Sequence, residues 1–209
     1  MTRPSESGSE SSRRELFRGA AATVAAGVVL GGAPAASAAG KRSAAEGRLK
    51  QSVCRWCYGK ISLDELCSAG RKMGLVGIDL LTPADFPTLK KHGLVCTMVS
   101  SGKLSDGLAD PRFHKDSIES AVAAIEATSK EGWKNVICFS GNRRGIDDKV
   151  GMDNCVKALK EIVPVAEKAN VILNMELLNS KVDHADYMCD NSKRSEEHTS
   201  ELQSLAYIV

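Results

Sequence analysis

The run Val171-Ile172-Leu173-Asn174-Met175, followed directly by Glu176, decides how this chain is expected to fold. A short, mostly apolar run of this kind is typical of a buried β-strand. Burying an unpaired carboxylate costs free energy, so an acid at the end of such a strand needs a cation or hydrogen bonds to receive it. In a barrel of parallel strands, the carboxyl ends of the strands form the rim that carries the active site. We therefore expect Glu176 at such a rim, on the same side of the strand as Ile172 and Asn174.

Strand and helix signals alternate along the chain before this run. For example, a capping box at Ser62 and Glu65 and a glycine at Gly74 predict the two ends of one helix. The strands lack a polar face, which predicts a parallel sheet covered by helices on both sides. The right-handed crossover rule then leaves an open doubly wound sheet or a barrel. No glycine-rich phosphate fingerprint follows the first strand, and this favours the barrel.

The predicted fold class is therefore α/β: a partial TIM (β/α)8 barrel of about four βα units plus a fifth strand. The predicted strands are residues 52–58, 76–81, 94–99, 135–139 and 171–176. The predicted helices are residues 62–73, residues 82–93 with an interruption at Pro87, residues 110–132 and residues 152–169.

The first 38 residues have the three parts of an export signal in the required order. Paired arginines, Arg13 and Arg14, precede a mildly apolar run from Gly19 to Gly32, and Ala36-Ser37-Ala38 follows. This order is that of a twin-arginine-type signal peptide cleaved after a small residue. The apolar run is too short for a stable membrane span. We therefore expect residues 1–38 to direct the protein to the periplasm or another exported location, with residues 39–50 as a linker.

The last residues of the chain depart from the pattern before them. Residues 194–204 read Arg-Ser-Glu-Glu-His-Thr-Ser-Glu-Leu-Gln-Ser and show no helical or strand periodicity. They resemble the conceptual translation of a sequencing-library adapter. We therefore expect residues 194–209 to be an artefactual tail, and residues 51–193 to form the partial barrel.

Composition excludes some classes of function. The net charge is +2 and aromatic residues make up 4% of the 209 residues. With no basic stripe and few rings for stacking on bases, the sequence does not predict nucleic-acid binding. The seven cysteines are scattered and odd in number, which is a poor disulfide framework. Cys54 and Cys57 have CxxC spacing, but in the predicted first strand they would point to opposite faces, so we expect buried thiols rather than a redox pair.

Several stretches of the chain are similar to a known family. In them the chain resembles the hydroxypyruvate isomerase-like branch of the xylose isomerase-like TIM barrels. The resemblance covers about Arg48 to Asn191. The stretches are Val53-Cys54-Arg55-Trp56-Cys57-Tyr58, Gly77-Ile78-Asp79-Leu80, Asn135-Val136-Ile137-Cys138-Phe139-Ser140-Gly141-Asn142-Arg143 and, most specifically, Met175-Glu176-Leu177-Leu178-Asn179-Ser180-Lys181-Val182-Asp183-His184.

This resemblance implies a divalent cation, Mg, Mn or Zn, at the rim, and a small hydroxy-carbonyl or sugar substrate. The implied reaction moves a proton between adjacent carbons through an enediol. A hard cation polarises the carbonyl oxygen and a carboxylate carries the proton. Glu176 matches the first acidic site residue of the family, as metal ligand and proton carrier; a salt-bridged structural acid is the alternative.

Other candidate site residues rest on weaker signals. Residues expected near the substrate are Trp56 and Tyr58 as pocket walls, Asn142 and Arg143 as a carboxylate-binding pair, and Asn179, Lys181 and His184 on the loop after the last strand. Plain packing or solvent exposure is the alternative for each of them. Asp79, at the end of the second strand, is expected to orient polar groups rather than to bind the metal.

The chain also departs from the family pattern, because strands six to eight and their metal ligands do not follow Glu176. We therefore expect an incomplete cation site, an inactive 209-residue chain, and self-association through unpaired edges of strands one and five. Two alternatives remain: a non-catalytic exported sugar-binding protein, or a metal-dependent phosphodiesterase of the abasic-site endonuclease kind. Further rim carboxylates and a histidine in the complete gene would favour the enzyme.

Overall fold

The computed structural model describes residues 49–192 and the strand at 206–208. They belong to one unit that spans Arg42–Val209. The predicted signal at residues 1–38, and most of the predicted linker and tail, lie outside the described residues. The strands are β1 (Ser52–Cys54), β2 (Gly77–Asp79), β3 (Val99–Ser100), β4 (Asn135–Cys138), β5 (Ile172–Met175) and β6 (Ala206–Ile208). The α-helices are α1 (Leu63–Met73), α2 (Phe86–Lys91), α3 (His114–Lys130) and α4 (Asp148–Ala169).

All strand pairings are parallel, and neighbours in space are neighbours in the chain. β1 pairs with β2, and β3, β4, β5 and β6 pair in that order. Two parallel bridges, Gly77 to Val95 and Leu81 to Val99, join the two sets of strands. The strands therefore form an open arc with helices on its outer side. The predicted α/β fold with four βα units and a fifth strand is confirmed.

The main core lies between the arc and the helices. Val136 and Cys138 of β4 and Leu173 and Met175 of β5 are buried in it, together with residues from all four helices. Core residues from the helices include Leu66, Leu89, Ile125, Leu159 and Ile162. Alternate residues of each strand therefore face the opposite, inner side of the arc.

Several element boundaries differ from those predicted. β1 ends at Cys54 because residues Arg55–Tyr58 form a 3-10 helix. The Arg55 guanidinium stabilises this turn by donating to the carbonyls of Tyr58 at 2.6 Å and Ile61 at 3.0 Å. Pro87 does not interrupt a helix but lies in the first turn of α2, where the missing N–H is not needed.

The helix α4 begins four residues before its predicted start. The Asp147 side chain caps it by accepting from the backbone N–H of Lys149 at 2.9 Å and of Val150 at 3.3 Å. The third strand is also shorter than predicted, because β3 covers Val99–Ser100 and not residues 94–99. Residues 94–98 contact β2 through an isolated bridge between Gly77 and Val95 and through hydrogen bonds, such as the one that the Ile78 N–H donates to the Val95 carbonyl at 3.0 Å.

The strand β6 lies within residues 194–209, which were predicted to be a tail outside the fold. It pairs with β5 over Leu173 to Ala206, Asn174 to Tyr207 and Met175 to Ile208. The prediction that β5 is an unpaired edge is therefore wrong, since its backbone groups are paired on both sides. The adapter resemblance of residues 194–204 stays a prediction. Among the helices within residues 49–192, none has the length and apolar composition needed to cross a bilayer.

Candidate functional site

Glu176 follows β5 directly and is held by its backbone. Its N–H donates to the Cys138 carbonyl at 3.1 Å, continuing the pairing of β4 and β5 by one residue. Leu173 and Met175 lie in the main core, whereas Ile172 and Asn174 do not. The alternation therefore places Ile172 and Asn174 on the inner side of the arc, as the sequence predicted, and Glu176 is next in that series at the carboxyl end.

The Glu176 carboxylate is partly buried, and among the residues described here no hydrogen bond or ion pair to it is found. Burial raises the pKa of this carboxyl above its ordinary value, and the positive charge of nearby His184 acts in the opposite direction. An acid whose pKa is raised in this way is better suited to accept and return a proton near neutral pH.

Cys54 and Asp79 lie at the same end of the arc as Glu176, and Cys54 is close enough to interact electrostatically with both acids. Burial raises the pKa of the Cys54 thiol, and the negative charges of Asp79, Cys57 and Glu176 add to this effect. Cys54 is the last residue of β1 and Asp79 the last residue of β2, and the two are paired in register. The carboxyl ends of β1, β2 and β5 thus contribute Cys54, Asp79 and Glu176 to one region.

Asp79 is occupied by protein hydrogen bonds. Its carboxylate accepts from the hydroxyls of Ser52 and Thr97 and from the Thr97 N–H at 3.2 Å. The Thr97 hydroxyl also lies 3.2 Å from the Ser52 hydroxyl, so the cluster joins residues on both sides of β2. Asp79 therefore orients neighbouring polar groups, which agrees with its predicted role.

Tyr187 was not predicted, and it supports the backbone at Glu176. Its side chain is fully buried, and its hydroxyl donates to the Glu176 carbonyl at 3.3 Å while accepting from the Ser140 N–H at 3.1 Å. The Ser140 hydroxyl accepts in turn from the Cys189 N–H at 3.0 Å. The segment around Tyr187 thereby joins the ends of β4 and β5. The sequence signal was a tyrosine eleven residues after Glu176, but its other partner, Ser140, lies 47 positions earlier in the chain.

Arg143 is engaged by protein groups on each guanidinium nitrogen. Its Nε donates to Asp148 at 2.9 Å, one terminal nitrogen donates to the Tyr187 carbonyl, and the other lies 3.1 Å from Asp190 and 3.3 Å from the Met188 carbonyl. The predicted fork to a substrate carboxylate would require Arg143 to give up one of these partners. The arrangement is that of a residue that fixes the loop after β4 to residues 187–190.

The other predicted site residues lie in two groups. Trp56 and Tyr58 lie on the 3-10 helix after β1 and are 72% and 40% exposed, so both are accessible to a ligand. Lys181 and Asn179 are exposed, and His184 is partly buried. The Asn179 carbonyl accepts from the His184 N–H at 3.1 Å, which folds the loop back towards Glu176.

An open pocket of about 650 Å³ lies beside the loop after β5. Asn179 and Lys181 line it, together with Ser180, Asp190 and Asn191. The Ser180 hydroxyl donates to Asp190 at 2.6 Å, which joins its two walls. Asn142 lies instead in the loop after β4, where its N–H donates to the Ser105 carbonyl at 3.0 Å.

The described side chains do not by themselves fit a divalent cation. Within residues 49–192 there is no group of three or more His, Cys, Asp or Glu side chains that is arranged to bind a metal ion. Such cations require several ligands at once, and Asp79 is committed to hydroxyl donors. The chemistry that these residues support is therefore proton transfer at Glu176, with the His184 imidazole as a nearby polar group.

Comparison with protein families identifies a family to which the chain is similar. The profile described as "Xylose isomerase-like TIM barrel" matches residues 88–198, which is more than half of the chain. The comparison with curated proteins gives no match.

Solved structures with a similar fold include three enzymes. The AP endonuclease, family 2, from Brucella melitensis has a TM-score of 0.64 at 13% identity, over 77% of this chain and 67% of that one. The 3-keto-D-glucoside 4-epimerase from E. coli has a TM-score of 0.60 at 14% identity, over 77% and 66%. The D-psicose 3-epimerase from Clostridium cellulolyticum H10 has a TM-score of 0.60 at 14% identity, over 77% and 62%. The chain thus spans about two thirds of the length of these structures.

Proposed function

Because the chain belongs to the xylose isomerase-like TIM barrel family, we propose that the protein is an isomerase of the hydroxypyruvate isomerase type, acting on a small hydroxy-carbonyl compound or sugar. The observation that carries this proposal is the Glu176 carboxylate: it is partly buried at the carboxyl end of β5, has a raised pKa and has no protein partner among residues 49–192. Such a group is available to a substrate proton.

The proposed step is a proton transfer between adjacent carbons. The Glu176 carboxylate takes the proton from the carbon next to the substrate carbonyl, and the electron pair of that C–H bond forms the enediolate. Glu176 then gives the proton to the former carbonyl carbon, while the hydroxyl proton passes from one oxygen of the enediolate to the other, so that the carbonyl and hydroxyl groups exchange carbons. The developing negative charge on oxygen requires a positive group or a hydrogen-bond donor nearby, and the His184 imidazole, which acts electrostatically on Glu176, is the candidate among the described residues.

We also propose that the 209 residues alone do not turn over substrate. The family resemblance implies a divalent cation, and the described residues hold no group of three ligands for one. The test is proton exchange in D₂O, followed by NMR, with hydroxypyruvate and added Mg²⁺ or Mn²⁺. We expect no deuterium incorporation above background, and metal-dependent isomerisation by the purified chain would contradict this.

The isomerase assignment is tested on the protein encoded by the genomic locus read past the codon for Lys193. We expect deuterium to enter the carbon next to the carbonyl of the substrate. Glu176→Gln should abolish the exchange, and Glu167→Gln, which changes an exposed acid on α4, should preserve it. Absence of exchange with every small hydroxy-carbonyl compound and sugar tested would overturn the assignment.

A non-catalytic sugar-binding protein is the second candidate. It is favoured by the 72% exposed Trp56 on the 3-10 helix after β1, since an exposed ring can stack on a sugar, together with the lack of a three-ligand group in the described part of the chain. Quenching of tryptophan fluorescence by sugars, lost in Trp56→Phe, without any proton exchange would support it. Trp133 packs against Phe86 and serves as the unchanged reference.

Export is a further proposal. Its support is the paired Arg13 and Arg14 ahead of the apolar run and the Ala36-Ser37-Ala38 site. A reporter that folds in the cytoplasm, fused after residue 38, should be exported, and replacing both arginines by lysine should retain it. Retention of the unmodified fusion would contradict the proposal.

A further inference from the structure

Cys54 and Cys57 lie on either side of the point where β1 becomes a 3-10 helix. Cys54 is the last residue of β1, and its extended backbone (φ −76°, ψ 132°) caps the helix Arg55–Tyr58 that contains Cys57. In a strand, residues three apart would be separated by about 10 Å and would point to opposite faces. The turn removes that obstacle.

The 3-10 geometry brings the two residues into disulfide range. The two residues between the cysteines, Arg55 and Trp56, belong to the 3-10 helix, and a rise of about 2 Å per residue separates the Cα atoms of Cys54 and Cys57 by about 6 Å. Disulfides span Cα separations of about 4.4–6.8 Å. In agreement with this proximity, the charge of Cys57 contributes to the raised pKa of Cys54.

The exposure of Cys57 and the rigidity of the turn also favour a disulfide between Cys54 and Cys57. Cys57 is exposed and Cys54 is partly buried, whereas the other five cysteines are buried. The turn is held by Arg55, which bonds the carbonyls of Tyr58 and Ile61. A small oxidant therefore reaches Cys57 first, and Cys54 is the one neighbouring thiol that the turn presents to it.

We propose that Cys54 and Cys57 form a reversible intrachain disulfide by exchange with a low-molecular-weight disulfide. Cys57 attacks one sulfur of the oxidant, forming a mixed disulfide and releasing one small thiol. Cys54 then attacks the Cys57 sulfur, forming the protein disulfide and releasing the second small thiol. Two protein thiols are oxidised, one small disulfide is reduced, and the two protons end on the released thiols.

The modification acts at the region that contains Glu176. Oxidation removes the Cys54 thiol as a neighbour of the Glu176 carboxylate and fixes the turn that presents Trp56. The proposal does not depend on the isomerase assignment, because it concerns the thiols alone.

The test uses the full chain, oxidised with glutathione disulfide, blocked with a maleimide and digested with trypsin. Trypsin cuts after Lys50, Arg55 and Lys60, which separates Cys54 (residues 51–55) from Cys57 (residues 56–60). We expect a single disulfide-linked pair of these two peptides, lighter by two hydrogens than their sum, which dithiothreitol converts to two separate peptides.

Two variants serve as controls. Cys57→Ser, at an exposed position, should abolish the linked pair and leave Cys54 unmodified. Cys54→Ser should stop the reaction at a glutathione adduct on Cys57. Recovery of only separate peptides from the oxidised wild-type chain, with or without a glutathione adduct on Cys57, would overturn the proposal.

Discussion

Glu176 is a partly buried acid whose raised pKa links its protonation to folding. The proton binds more tightly in the folded than in the unfolded chain, so the carboxyl favours folding at low pH. That contribution is lost as the pH rises through the folded-state pKa. Glu176→Gln should therefore stabilise the chain at pH 7 by a fraction of the ~1.4 kcal/mol that one pKa unit represents, because the side chain is only partly buried.

Urea denaturation at pH 7 and at pH 4 measures this effect. The urea midpoint of Glu176→Gln should be higher than that of the unmodified chain at pH 7. The difference should be smaller at pH 4, where more of the Glu176 carboxyl is protonated. Glu167→Gln, on the exposed face of α4, should leave the midpoint unchanged at both values. A loss of stability in Glu176→Gln at pH 7 would show that the carboxylate has a favourable partner.

Arg143 is the second residue with a testable structural role. Its guanidinium joins Asp148 and Asp190 to the carbonyls of Tyr187 and Met188. A lysine cannot reproduce this planar set of donors, so Arg143→Lys should lower the free energy of unfolding by about 1–3 kcal/mol. Arg71→Lys, at an exposed position in the last turn of α1, should have no effect. Equal midpoints for the two variants in urea would contradict this role.

The position of Glu176 at the end of a strand could be predicted from the sequence, whereas the contacts of the residues around it could not. The strand signal before Glu176 and the alternation that sets Ile172 and Asn174 apart from the core are local properties of five residues. Several contacts of Arg143 and Tyr187 join residues that are more than forty positions apart in the chain, such as Ser140 and Tyr187. Spacing along the chain carries no signal for such pairs.

The helix α1 has a complete capping box, predicted from the sequence. The Ser62 hydroxyl accepts from the Glu65 N–H at 3.2 Å, and Glu65 accepts from the Ser62 N–H at 2.9 Å. Ser62→Ala should destabilise the chain by about 1 kcal/mol in urea denaturation. Ser68→Ala, in the interior of the same helix, should be neutral or slightly stabilising. A loss of similar size in both variants would show that the cap is not responsible.

The strand β2 depends on a glycine where it approaches its neighbour. A Cβ atom on Gly77 would lie 2.5 Å from the Val95 carbonyl oxygen and 2.7 Å from a methyl group of Thr97. Gly77→Ala should therefore cost about 1–3 kcal/mol of stability through overpacking. At Gly59 the nearest atom is 4.0 Å away, and Gly59→Ala should leave the thermal midpoint nearly unchanged. A neutral Gly77→Ala would show that the two strands can separate without cost.

Elements with local signals were predicted, and elements set by distant or competing contacts were not. The α1 cap and Gly74 define both ends of that helix as predicted. The predicted end of β1 was wrong because the Arg55 side chain donates hydrogen bonds to two carbonyls later in the chain, and these bonds favour a turn over a strand. β6 was missed because its pairing partner, β5, lies about thirty residues earlier in the chain.

The whole molecule has an edge at β1, which pairs with β2 and, within residues 49–192, with no strand on its other side. Exposed edges of this kind pair with other chains. We expect light scattering after size exclusion to give a mass above that of the monomer. Gln51→Lys, which adds a charge at the start of this edge, should shift the mass towards the monomer.

Val182→Lys is the matched control for this experiment. It adds the same charge in an exposed turn after β5 and should leave the mass unchanged. A monodisperse monomer with one sharp thermal transition, from the unmodified chain, would contradict self-association through the edge.

The arc also bears on biosynthesis, because its strands lie side by side in the order in which they are translated. Each described βα unit after the first meets a partner strand that has already left the ribosome. Pairings between consecutive units close shorter loops than pairings between distant units would, which lowers the entropy cost of loop closure. The nascent chain can therefore assemble by stepwise addition, each unit covering the apolar flank of the one before it.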